Sequence, residues 1–352
     1  MSLTVMSWEE AIGHAKEERL VHALLGNGFS RACFDDIFSY DALFDRADFQ
    51  SLSEHCQSAF DELKTTDFEE VIRALRVASI ITSVYHPDKP GSSARMAADA
   101  DQLREVLVNA IAGSHPDWPG EIDAESYAAC KIFLANFERV YTLNYDLLLY
   151  WTFMQDEIEP DLQCDDGFRH ADDGEEEYVT WEVDQSYDQK VYYLHGALHL
   201  FDSGTQLQKY TWSRTGVRLI DQIRAALENS KFPLFVSEGT SEEKLTRIKH
   251  HGYLHRGIAS IGSITGSLVI HGMSFGPNDN HVIRILERGR VSRVYVGLYG
   301  CPEAPHNRAI VERALAMSKR RDERAGRRRR RPGPLEVYFY DAQSANVWGD
   351  SV

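Results

Sequence analysis

The chain has 352 residues, 43% of them hydrophobic and 26% charged, which is enough apolar material for a full core and too much for a disordered polymer. Asp and Glu number 54 against 38 Lys and Arg, a formal net charge of −16, so the overall field repels nucleic acid. Single cores stop growing near this length, and one main fold carrying an insertion is expected. The five cysteines, Cys33, Cys56, Cys130, Cys164 and Cys301, include no Cys-x-x-Cys pair, which gives no basis for a zinc ribbon or a redox couple. The first residues, MSLTVMSWEEAIGHAKEER, hold acids and a Trp where a secretory signal needs a basic start and an apolar run. No eighteen consecutive apolar residues occur. A soluble, cytoplasmic protein with reduced thiols is expected.

In chain order, the runs at 19–28, 139–146, 190–196, 233–239, 267–274, 293–300 and 335–341 are short, apolar on both faces and rich in β-branched and aromatic residues. Such runs are strands of a parallel sheet covered by helices. Residues 1–50 hold the first strand and a candidate phosphate loop. Residues 51–138 hold FEEVIRALRVASIITSVY and ADQLREVLVNAIAG, both at helical spacing, and read as a helical insertion. Residues 155–190 contain fourteen acids against Arg169 and Lys190 and read as a solvated loop. Helices are expected at 241–262, with Thr240 and Glu243 at capping-box spacing, at 278–289 and at 303–322. With this alternation, residues 139–352 complete a doubly wound, mostly parallel, Rossmann-like α/β sheet. The basic run KRRDERAGRRRRR at 319–331 reads as a helix end, and His250, His251 and His255 as a surface helix face.

Three segments carry candidate chemistry. Gly26-Asn27-Gly28-Phe29-Ser30 ends the first strand, where glycines let the backbone turn tightly and approach a phosphate. A plain strand-to-helix turn is an equal reading, because Arg31 stands where the dinucleotide fingerprint has glycine. In Thr142-Leu143-Asn144-Tyr145-Asp146, Asn144 and Asp146 share a face and either meet a ligand or cap the next helix. His195, in Leu194-His195-Gly196, is either a general base or a hydrogen-bonded structural residue; His271 reads as a core histidine. Gly272-Met273-Ser274-Phe275-Gly276 also fits the nucleophile elbow of serine hydrolases, but His281 and His306 precede the last strand, against that family's order.

Taken in order, GNGFS, TLNYD, LHG and Gly272-Met273-Ser274 resemble the sirtuin-like superfamily, and FPLFVSEGTSEEKL with GMSFGPNDNHV is similar to an uncharacterised bacterial subfamily within it. The resemblance implies a Rossmann-type sheet with NAD in a crevice beside it. Asn27 replaces the usual Ala, the Gly-Ile-Pro-Asp-Phe-Arg run is missing, and the four zinc cysteines have no counterpart. What is implied is therefore a metal-free NAD hydrolase releasing nicotinamide and ADP-ribose, like the zinc-free members of bacterial antiphage defence, and not a lysine deacylase. By that resemblance Gly26, Gly28 and Ser30 hold the pyrophosphate, with Asn27, Phe29 and Thr142 also in the cofactor site. Gly272 and Ser274 contact a phosphate or the adenosine ribose. Asn144 positions the nicotinamide ribose and water, Asp146 the carboxamide, and His195 acts as base. The alternative is a sensor that binds NAD or an ADP-ribose derivative without cleaving it. Expected partners are the nucleotide and further copies of the chain, without membrane or nucleic acid, and the activity is expected to need a trigger.

Overall fold

The computed structural model describes residues 3–50, 52–88, 90–162, 164–170, 177–229, 231–236, 241–325 and 333–349. Among these, seven strands form one sheet in which every pairing is parallel. They are β1 (Val5–Met6), β2 (Val21–Leu25), β3 (Arg139–Thr142), β6 (Val191–Tyr193), β9 (Ser267–His271), β10 (Arg293–Leu298) and β11 (Glu336–Asp341). Across the sheet the order is β6, β3, β2, β9, β10, β11, β1. The chain moves outward from β2 through β3 to β6, returns to the other side of β2 as β9, and continues to β10 and β11. This is the doubly wound order, and it reverses between β2 and β9, where open α/β sheets leave a crevice beyond the strand ends. β2 and β9 are buried at every residue, as strands covered on both faces must be.

Six of the seven expected strands are present. The seventh, at 233–239, is not: Phe235 makes only an isolated bridge to Gly196, and residues 237–239 lie outside the described residues. The segment crosses the end of β6 instead of lying beside it, with Leu234 and Val236 bonded to the turn at 195–200. The acidic stretch 155–190 is also more than a loop. It contributes β4 (Phe168–Arg169) and β5 (Tyr178–Trp181), which join β7 (Leu200–Asp202) and β8 (Leu207–Tyr210) in a separate antiparallel sheet of order β4, β5, β8, β7. Val179 and Trp181 point into the core, and the acids around them had masked that pattern.

Between β2 and β3 the described chain is helical, including the long helices Phe68–Tyr85 and Pro90–Ser114, packed as a hairpin. The helix expected at 241–262 is two helices, Ser241–His250 and Gly252–Ser263, broken at His251; the proposed cap Thr240 lies outside the described residues. In the last helix, Pro305–Ala325, the basic end is structural. Arg320 and Arg324 pair with buried Glu287, and buried Arg321 donates to the Val291 and Gly289 carbonyls; residues 326–331 lie outside the described residues. No helix among the described residues is long and apolar enough to cross a membrane.

The ends of β2 and β9 touch backbone to backbone. Gly26 N donates to His271 O and Gly28 N to Gly272 O, both at 2.9 Å. A Cβ at position 28 would lie 2.6 Å from Gly272 Cα, and one at 272 would lie 2.5 Å from Phe29 N, at a φ of +74°. Side chains cannot occupy either position without parting the strands. Gly272→Ala should therefore cost at least about 3 kcal/mol of stability, measured as a lowered denaturation midpoint. Gly13→Ala, with nothing within 4 Å of its new methyl group, should leave that midpoint unchanged or raise it. Equal midpoints for parent and Gly272→Ala would remove the argument.

The core also holds neutral histidines. Burial lowers His22, His115 and His271 from 6.5 to about 4. His115 shows why: Nε2 accepts from Leu147 N at 3.0 Å while Nδ1 lies 3.0 Å from Pro116 O, so a second proton would face a donor. The unfolded chain takes up these protons first, so stability is complete above 6.5 and is lost as pH falls toward 4. Asp67 and Asp279, raised to about 6 and about 7, act oppositely, but are outnumbered. The apparent Tm should fall between about pH 7.5 and about pH 5, by a net loss of a few kcal/mol; a flat or rising Tm would contradict the neutral-histidine account.

Candidate functional site

Two polar clusters sit at the carboxyl edge of the sheet. The first joins the turn after β2 to the turn after β3. Asn144 Nδ2 donates to Ser30 Oγ at 2.7 Å and to Gly26 O at 3.1 Å. Ser30 Oγ donates to Asp146 Oδ2 at 2.5 Å, and Asp146 Oδ1 accepts the Leu148 amide at 2.9 Å. Thr142 Oγ1 accepts the Asn144 amide at 3.0 Å. Ser30, Thr142, Asn144 and Asp146 are all buried. Burial raises the Asp146 carboxyl, opposed by the Ser30 hydroxyl and the Leu148 amide. Asp146 thus accepts both the first amide of the helix Leu148–Phe153, whose N-cap is Leu147, and the Ser30 hydroxyl.

Other members of the loop are tied down. Asn27 Nδ2 donates to Phe38 O at 3.1 Å, and Phe29 O accepts Trp348 Nε1 at 2.8 Å. Because the Gly26 and Gly28 amides are bonded to β9, they are not free to meet a phosphate in this conformation. Gly272 closes the same contact. Ser274 is exposed on the following loop, where its Oγ accepts the Gly276 amide at 3.3 Å. Beside it Phe275 is buried with φ +57°, a strained conformation for an aromatic residue; its carbonyl is held by Arg313 at 2.8 Å.

The second cluster surrounds His195. Thr142 of β3 is in register with Tyr193 of β6, so Asn144 and His195 each lie two residues beyond paired positions on adjacent strands. Their side chains serve different clusters. His195 Nε2 is 2.9 Å from His281 Nε2, and its ring is 6.2 Å from that of Tyr145. The Tyr145 hydroxyl is 3.1 Å from both Glu69 Oε1 and Val236 O, and Phe235 covers its ring at 3.8 Å. Lys244, fully buried, donates to Glu69 Oε2 at 2.7 Å. Asp279 completes the group, with His195, His281 and Asp279 offering ligand atoms all within 4.8 Å of one another.

These residue types can hold a transition metal, but the imidazoles face each other: a ring-centre separation of 5.0 Å for a 2.9 Å N···N contact is hydrogen-bond geometry. Burial, then Lys244 and His281, hold His195 well below its ordinary value, and burial with Lys244 lowers His281 to about 3. Both rings are neutral, and one nitrogen of the pair carries the shared proton. Burial opposes the charge on Lys244, yet Glu69, Asp279 and Asp67 outweigh it and raise that group. Burial pushes Asp279 up to about 7, with Lys244 opposing and Glu69 and Asp67 adding to the rise. The cluster thus sets three carboxyl groups, on Asp67, Glu69 and Asp279, against one ammonium.

Glu69, Lys244, Asp279 and His281 were not identified as site residues from sequence. One signal was available: Ser241, Lys244 and Ile248 are the buried residues of their helix, so a lysine occupies the apolar stripe, and a buried ammonium requires a carboxylate partner. The acids at 67–70 had no comparable signal, since Asp67 caps the helix through the Glu69 and Glu70 amides as any surface N-cap does.

No curated protein matches the sequence. Among solved structures, the chain is similar to one from work on the structural basis for sirtuin substrate affinity, with TM-score 0.35 and 15% identity over 91% of this chain and 99% of that one. It is also similar to one addressing the mechanism and regulation of Sir2 enzymes, with TM-score 0.34 and 10% identity over 90% and 97%. A third is a Sir2 homolog–NAD complex, with TM-score 0.28 and 11% identity over 90% and 98%. The family model described as a domain of unknown function, DUF4917, matches residues 23–348, and the chain belongs to that family.

Proposed function

We propose that the protein hydrolyses NAD to nicotinamide and ADP-ribose and, like the bacterial proteins its motifs resemble, serves antiphage defence. The observation that carries this reading is the placement of buried Ser30, Asn144, Asp146 and His195 along the carboxyl edge of β2, β3 and β6, beside the reversal of strand order. Dinucleotides lie across such a reversal. Nicotinamide leaves as a neutral ring, taking the electron pair of the C–N bond, and positive charge develops on the ribose. Asp67, Glu69 and Asp279 supply negative charge for it, in a setting where electrostatic stabilisation is strong. Water then bonds to the anomeric carbon and gives up its proton to the neutral His195, whose partner His281 fixes its orientation; Asn144 aligns the ribose and water.

The cluster is closed in this conformation, with Phe235 on Tyr145 and the Asn144–Ser30–Asp146 bonds complete. Substrate entry therefore requires residues 234–236 to lift, which supports a need for activation. Purified protein incubated with NAD should release nicotinamide, and Asn144→Ala and His195→Ala should slow that release at least about 100-fold with circular dichroism unchanged. Variants as fast as the parent would refute the assigned roles. Binding of ADP-ribose by the parent without any nicotinamide release would favour the sensor reading instead.

The buried ion pair makes a separate prediction. Glu69→Ala strands the Lys244 ammonium and should cost about 3–5 kcal/mol, read by chemical denaturation. Glu69→Leu combined with Lys244→Met should recover most of that stability but not the hydrolysis. Recovery of both would exclude the pair from the chemistry.

A further inference from the structure

The helix Phe68–Tyr85 has two apolar faces. One, with Phe68, Val71 and Ile72, is buried, and farther along the same side Ser79 and Thr82 meet Ser93 and Met96 of the neighbouring helix. The opposite side carries Val77, Ile80, Ile81, Val84 and Tyr85, which are 38%, 61%, 51%, 70% and 77% exposed. Their spacing, i, i+3, i+4, i+7 and i+8, is that of a packing stripe, and among the described residues it is left exposed. Contiguous apolar surface of this kind marks an interface.

We propose that this stripe is the contact between two copies of the chain, related by a two-fold axis that passes between Ile80 and Ile81. The stripe is complementary to itself. In an antiparallel pairing about that axis Ile80 meets Ile81 and Val77 meets Val84 of the other copy, so aliphatic side chains pack on one another at its centre. The pairing is isologous, each contact occurring twice about the axis. The five side chains present on the order of 500 Å² per copy, so two copies bury on the order of 1,000 Å², the lower bound for a specific interface. The neighbouring helix Pro90–Ser114 stands behind each stripe, and the pair of hairpins makes a four-helix contact with the helix packing of a bundle.

Sedimentation velocity on the full chain tests this. At about 10 μM, the low-micromolar affinity range, the parent should sediment as a dimer of the 40.0 kDa chain. Ile80→Glu with Ile81→Glu should sediment as a monomer while keeping the parent's Tm and circular dichroism, because both residues are exposed in the single chain. A monomeric parent, or an oligomer indifferent to Ile80→Glu with Ile81→Glu, overturns the proposal.

Discussion

Where a doubly wound sheet reverses direction, the two central strands send their chains to opposite sides, and here the turns that leave them first meet backbone to backbone. The turn after β2 and the turn after β9 approach so closely that only hydrogen atoms fit at positions 28 and 272. This contact fixes the floor on which the polar residues stand. Ser30 sits one turn beyond the contact, within reach of Asn144 and Asp146 on the next strand, and His195 follows on the strand after that. A shift of the floor would carry Ser30 away from its partners and open a gap in a buried hydrogen-bond network, where each unpaired group costs about 1–3 kcal/mol.

Beside that network lies an electrostatic imbalance. Three carboxyl groups share one ammonium, and the adjacent imidazoles contribute no charge because burial and Lys244 keep them neutral. Asp279 sits near neutrality as a result. For the proposed hydrolysis the imbalance is useful, because the field is in place before positive charge develops on the ribose and nothing has to reorganise. The segment that covers the region is held by the Leu234 and Val236 backbone bonds to the 195–200 turn and by the Tyr145 hydroxyl on Val236 O, with the Phe235 ring against that of Tyr145.

The strands of the main sheet were legible because their residues are apolar on both faces, a pattern that a covered parallel sheet alone demands. The antiparallel sheet was hidden: β4 and β5 are short and flanked by acids, so local charge overwhelmed the alternation of Val179 and Trp181. The segment at 233–236 has strand-like composition but crosses a strand end, a placement that tertiary contacts decide. For the candidate site, Asn144, Asp146 and Ser30 were visible as polar residues at strand ends, and their mutual bonding follows from the sheet order. The partners of His195 were not visible. Lys244, Asp279 and His281 come from elements far along the chain, and their burial arises only when the helices at 241–263 and 280–288 fold over the edge.

The helix from Phe68 to Tyr85 links these features mechanically. It contains neither glycine nor proline, and its eighteen residues make a rod about 27 Å long. One tip seats Glu69 against Lys244 and Tyr145, while the far half packs on the neighbouring helix through Ser79 and Thr82. A rod of this kind is stiff along its axis, so a push or twist applied outside arrives at the carboxylate inside almost undiminished. Glu69 is thereby the inner end of a lever whose outer end carries the stripe from Val77 to Tyr85.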